Sequence, residues 1–181
     1  MEKKLSDMSL EELWKLFPIH LTEHQPDWRE WYAEEENLLK NRVSDIERIS
    51  HIGSTAISSI CAKPIIDILA EISREHKLSD YKEAIMNSGY ICMSETSDRI
   101  SFNKGYTENG FAERVYHLHL RYIGDNDEVY FRDYLIEHTD VALEYERMKL
   151  ELWKKYEFNR DGYTNSKTDF IQKYTEKAKL E

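Results

Sequence analysis

The sequence is poor in the features that mark several protein classes. It has two cysteines, Cys61 and Cys92, too few for a disulfide framework or a cysteine zinc cage. Both sit in apolar surroundings and read as buried free thiols of a reducing compartment. Positive charge is also short: 25 Lys and Arg stand against 35 Asp and Glu, a formal net charge of -10. Broad affinity for nucleic acid or an anionic membrane comes from neutralising phosphates, so this balance speaks against both. A local basic pocket for a small anion remains open. No apolar run reaches the length of a membrane span, and the charged N-terminus has no signal-peptide core. The expected location is the cytoplasm. Repeats and low-complexity linkers are missing too.

What is present suits one domain over residues 1 to 181, with 40% apolar and 12% aromatic residues to build a core. Ser9 and Glu12 have capping-box spacing, which predicts a short helix through Phe17 that Pro18 ends. A longer helix is predicted over residues 26 to 44, with Glu34, Glu35 and Glu36 on a solvated face. Strands are predicted over Ile46–Ile52 and residues 65 to 72, separated by Gly53 and a short helix at residues 55 to 60. A helix over residues 78 to 88 stops at Gly89. Strands follow at residues 90 to 94, 99 to 104 and 114 to 123. The last two read as antiparallel neighbours, joined by a loop over residues 105 to 113. Helical spacing then runs from Asp127 through Trp153. Gly162 interrupts it, and a last helix covers residues 164 to 180. The fold class is α+β: a mixed β-sheet flanked by helices, with a helical C-terminal part.

Strand periodicity isolates the chemistry. In the strand ending at Ile72, one face carries Ile66, Ile68, Ala70 and Ile72. The other carries Ile65, Asp67, Leu69 and Glu71. A buried carboxylate needs a partner, so Asp67 is either paired with Lys63 or an arginine, or belongs to a ligand site. The strand around YHLHLRY offers His117, His119 and Arg121 on one face, and a third strand offers Arg99, Ser101 and Asn103. If these faces share one side of a sheet, they form a polar floor of Asp67, Asn103, His117, His119 and Arg121. Two histidines at i, i+2 can ligate a metal side by side; packing and hydrogen bonding explain them equally well. Gly53-Ser54-Thr55, between a strand and a short helix, has the form of a phosphate-binding turn.

Taken together, HIGSTAISSICAKPIIDI resembles the signature of the GrpB (UPF0157) family. LEELWKLFPIHLTEH, RISFNKGY, FAERVYHLHLRYIGDNDEVYFRDYLIEH and LWKKYEFNRDGYTNSKTDFI extend the likeness over nearly the whole chain. The family is similar to the nucleotidyltransferase superfamily, and the resemblance implies that superfamily's small mixed sheet. It matches Gly53 and Ser54 to the phosphate-binding turn and Asp67 to the first metal-binding aspartate. Leu69 stands where the second acid belongs. Glu71 shares the face but lies roughly 13 Å from Asp67 at about 3.3 Å per residue.

The implied ligand is a small-molecule nucleotide or phosphorylated substrate, with a divalent metal, Mg²⁺ or Mn²⁺, held by Asp67 with His117 or His119. Gly53, Ser54, Thr55, Lys63 and Arg121 would bind phosphate. His51 would relay a proton or brace the turn. Tyr145, Lys149, Trp153 and Asn159 could shape an acceptor pocket or simply pack. Three functions fit: nucleotidyl transfer, nucleotide or anion binding without catalysis, and metal-dependent phosphohydrolysis. The acceptor, the base preference and the oligomeric state are not legible.

Overall fold

The structure is a computed structural model, and it describes residues 4–181. A five-stranded mixed sheet is its centre, in the order β1-β2-β5-β4-β3. Its strands are β1 (Ile46–Ile52), β2 (Ile66–Ile72), β3 (Ile91–Glu95), β4 (Arg99–Thr107) and β5 (Gly110–Tyr122). β2 runs antiparallel to β1 and parallel to β5, while β4 is antiparallel to both β5 and β3.

The helices are α1 (Leu10–Leu16), α2 (Asp27–Arg42), α3 (Lys82–Met86), α4 (Asp127–Glu137), α5 (Thr139–Tyr156), α6 (Arg160–Asn165) and α7 (Thr168–Ala178). The capping box of α1 forms as its spacing predicts: Ser9 accepts from the Glu12 amide, and Glu12 accepts from the Ser9 amide. No helix among the described residues is long and apolar enough to cross a membrane.

Two hydrophobic clusters organise the packing. The wholly apolar face of β2, with Ile66, Ile68, Ala70 and Ile72, joins Ile100, Phe102, Tyr116, Leu118 and Leu120. Trp28, Leu39 and Val43 of the α2 region pack onto that surface. The second cluster unites α4, α5 and α7 through Phe131, Leu135, Tyr145 and Tyr174. It also holds Ile57 and Ile60 from the connection between β1 and β2. Through that connection the C-terminal helices reach the polar side of the sheet.

Several local expectations need correction. The predicted loop over residues 105 to 113 is a tight hairpin: β4 continues to Thr107, β5 begins at Gly110, and Tyr106 pairs with Phe111. Gly105 marks a bulge, not a loop, because a Cβ there would stand 2.3 Å from the Arg114 carbonyl oxygen. The short helix predicted at residues 55 to 60 is a 3₁₀ turn over Ser54–Ala56. A 3₁₀ turn over Leu78–Tyr81 likewise opens the segment that continues as α3. Gly162 lies within α6, which Asn159 caps by accepting from the Gly162 amide at 2.8 Å. A glycine is needed there because a Cβ would meet the Tyr156 ring at 2.7 Å. Glu35 leaves the solvated face expected for it: it is 6% exposed and pairs with Lys104 at 2.7 Å.

Candidate functional site

Register brings the polar strand faces together. Asp67 stands opposite His117 on β5, and His117 stands opposite Asn103 on β4. Leu69, His119 and Ser101 make the next rung, and Glu71, Arg121 and Arg99 the one after. The polar floor therefore exists, but its two ends differ. Arg121 is buried at the far end, 3.7 Å from Asp125, and its NH1 donates to the Leu120 carbonyl. That is four residues along the strand from His117, so Arg121 is not part of the phosphate group proposed for it. Glu71 is buried at the same end, accepting from the Gly124 amide and lying 3.7 Å from Arg48.

At the near end, the turn after β1 touches Asp67. Gly53 has φ +71°, a conformation that glycine tolerates best. A Cβ on it would stand 2.5 Å from Asp67 Oδ2, so the backbone approaches the carboxylate as only glycine permits. Thr55 and His51 secure the turn from the interior. The Thr55 hydroxyl donates to the Ile65 carbonyl at 3.2 Å, which leaves it to accept from His51 Nε2 at 2.9 Å. His51 pairs in register with Ile68, placing it on the apolar face, where Tyr32 stacks on its ring. Burial lowers its pKa to about 4 and keeps it neutral. Of the two roles considered for His51, the geometry is that of the brace. The Thr55 side chain serves the same brace.

Asp67 is not paired with Lys63 or an arginine. His117 Nδ1 donates to its Oδ1 at 3.1 Å, and His119 Nε2 lies 3.9 Å away. Burial works against the charged carboxylate, but the hydrogen bonds from His117 and His119 outweigh it and hold the group well below the usual carboxylate range. The other nitrogen of His117 is also committed: Nε2 lies 2.9 Å from Tyr106 Oη, which accepts from Arg160 NH1 at 3.0 Å. Burial lowers the His117 pKa despite Asp67, so it bonds Asp67 as a neutral donor.

Cations from the C-terminal helices complete the site. Lys149 of α5 is 2% exposed; its Nζ donates to Ser54 Oγ at 3.0 Å and to the Cys61 carbonyl. Lys63 and Lys167 both lie over the Tyr163 ring, at 5.4 and 4.4 Å. Burial and mutual repulsion, with Arg160 adding to it, push Lys63 down to about 7. Burial and Lys167 do the same to Lys149, also to about 7, and burial brings Lys167 to about 8. Lys63 thus has Lys149, Arg160 and Lys167 around it with Asp67 as the opposing charge, while Glu146 opposes Lys149, in a chain whose net charge is -10. Sequence reasoning missed Arg160 and Lys167 and placed Lys149 only as a candidate. The available signal was Lys149 itself, a charge on the stripe of Tyr145, Met148 and Leu152.

The donor set does not fit a two-ion centre. Hard divalent cations need several oxygen ligands, and among the described residues Asp67 is the one carboxylate on its rung of the sheet, opposite His117 and Asn103. Leu69, in the second acid's place, is fully buried. Both His117 nitrogens are occupied, so the Asp67–His117–His119 ligand set is not assembled. Among the described residues no group of three or more His, Cys, Asp or Glu is positioned to hold a metal ion.

In fold, the five-stranded mixed sheet with its helical C-terminal part is nucleotidyltransferase-like. A mutant of the Cid1 poly(U) polymerase bound to MgATP superposes with a TM-score of 0.51 at 13% identity, covering 81% of this chain and 47% of that one. At that identity the likeness is one of fold.

The chain belongs to the GrpB family, whose model, described as GrpB protein, matches residues 18–177. The glutamate-rich protein GrpB of Alkalihalophilus pseudofirmus is 32% identical over 159 residues, covering 84% of this chain and 91% of that protein. UPF0157 protein YqkA of Bacillus subtilis is 30% identical over 165 residues; the match covers 89% of this chain but spans only 47% of YqkA. The crystal structure of GrpB from Enterococcus faecalis matches at TM-score 0.75 and 30% identity, covering 88% of this chain and 96% of that one.

Proposed function

We propose that this protein binds the phosphates of a nucleotide in a cradle formed by the Gly53–Ser54 turn and the side chains of Lys63, Lys149, Arg160 and Lys167. One observation carries the reading: Lys149 is buried to 2% exposure and aimed at Ser54. A buried ammonium is costly without a compensating anion. Here the hydrogen-bond partners are a hydroxyl and a carbonyl, both neutral, and burial with repulsion from Lys167 outweighs the attraction of Glu146. A polyphosphate would supply the missing negative charge.

The test is ligand-induced stabilisation. ATP, CTP, GTP, UTP and tripolyphosphate, each with and without Mg²⁺, should raise the melting temperature of the protein. The rise should be largest for triphosphates and absent in Lys149→Met. No shift with any polyphosphate would sink the reading.

Nucleotidyl transfer is the second reading, favoured by the Asp67 carboxylate held ionised beside the turn. It predicts pyrophosphate release that Asp67→Ala abolishes. Phosphohydrolysis built on a His117–His119 metal pair loses support, because both His117 nitrogens are committed.

A further inference from the structure

The hydrogen-bond chain that ends at Asp67 begins at a phenol, and its direction is fixed by chemistry. A guanidinium can only donate. Tyr106 Oη therefore accepts from Arg160 NH1, 3.0 Å away. At the other end the Asp67 carboxylate can only accept, so His117 Nδ1 carries the imidazole proton and donates to Oδ1 at 3.1 Å. The neutral ring is then unprotonated at Nε2, which accepts the phenolic proton of Tyr106 at 2.9 Å. An oxygen between an imidazole lone pair and a fixed cation, with a carboxylate behind the imidazole, has the partners that activate a nucleophile. A base takes the proton, the carboxylate stabilises the resulting imidazolium, and the cation stabilises the oxyanion. The ring is held in place by Phe17 and Phe111, whose centroids lie 4.7 and 5.2 Å from its own. Arg160 also belongs to the cation group around Lys63, so the phosphate cradle adjoins the phenol.

We propose that Tyr106 is a covalent acceptor, taking a nucleotidyl group from a nucleoside triphosphate held in the cradle. The proposal rests on the nucleotide-binding reading above. In the step, Tyr106 Oη attacks the α-phosphorus and an Oη–P bond forms. The α–β phosphoanhydride bond breaks, and pyrophosphate leaves with its electron pair. The phenolic proton passes to His117 Nε2, and Asp67 balances the charge on the imidazolium.

Intact-mass spectrometry of the whole chain after incubation with each of the four nucleoside triphosphates and Mg²⁺ or Mn²⁺ tests this. The expected result is one added nucleoside monophosphate, less water, mapped to Tyr106 by peptide fragmentation. It should be absent in Tyr106→Phe, which retains the ring packing, and strongly reduced in His117→Gln. A cooperative melt of each variant shows that it folds. If triphosphates stabilise the wild type but no adduct forms, the covalent proposal fails and the binding reading stands. If triphosphates neither stabilise nor label the protein, both fail. An adduct on another residue, or addition of a phosphoryl group alone, overturns the assignment.

Discussion

Gly53 and Asp67 occupy the same small volume: the site of a missing Cβ on one is 2.5 Å from a carboxylate oxygen of the other. Replacing the glycine with alanine would therefore meet two obstacles, the φ of +71° and the Asp67 side chain. Gly53→Ala is expected to destabilise the fold by about 1–3 kcal/mol, read from a denaturant midpoint. It should also remove stabilisation by tripolyphosphate. An alanine variant as stable and as responsive as wild type would contradict this account of the turn.

Lys149 offers a sharper separation of folding from binding. Its ammonium donates to the Ser54 hydroxyl and the Cys61 carbonyl, buried, with Lys167 repelling it more than Glu146 attracts it. Lys149→Met removes a buried charge while retaining much of the volume, so the ligand-free fold should melt at or above the wild-type temperature. Affinity for tripolyphosphate should fall by about 1.5–3 kcal/mol, the usual range for a charged hydrogen bond, or roughly 10- to 150-fold in Kd. Calorimetry measures the loss directly.

The lysines also give binding a pH dependence. In the ligand-free protein Lys63 and Lys149 titrate near 7 and Lys167 near 8, below the ordinary 10.5. A bound polyanion favours their charged forms and raises those values, so binding takes up protons and weakens as pH climbs from about 6 to 9. Proton uptake appears as a dependence of the calorimetric heat on buffer ionisation enthalpy. Stability without ligand runs the other way. Above about 7 the unfolded chain holds more protons on these groups than the native one, so they make the fold more stable as pH rises toward 10.5.

Asp67→Asn tests what the carboxylate is for. The amide can still accept from His117 through its oxygen, but the negative charge that opposes Lys63 and Lys167 is gone. Polyphosphate binding should be retained or tightened, while any nucleotidyl transfer is lost. Equal loss of binding and transfer would mean that Asp67 shapes the cradle and does not serve the chemistry.

Much of the sheet was legible because alternation is local. The contrast between Ile66-Ile68-Ala70-Ile72 and Asp67-Leu69-Glu71 predicts which face is core, and the structure follows it. The pairing of Asp67, His117 and Asn103 on one rung follows from strand faces that sequence can assign. The cations were harder to find, since Lys149, Arg160 and Lys167 arrive by packing of helices far along the chain. Only Lys149, set on an apolar stripe, carries a local hint. The hairpin at Tyr106 was missed because Gly105 reads as a breaker, whereas its lack of a side chain is what lets β4 bulge against Arg114 and continue. That error concealed the phenol of Tyr106, which only a paired strand can aim at His117.

The two kinds of residue in the cradle belong to different parts of the molecule. Gly53, Ser54 and Asp67 are fixed to the sheet, and Lys149, Arg160 and Lys167 ride on α5, α6 and the residue leading into α7. A polyphosphate lodged between them would act as a splint across that seam. Amide exchange in the C-terminal helices, far from the glycine turn in sequence, should then slow when the ligand binds and report occupancy of the turn itself.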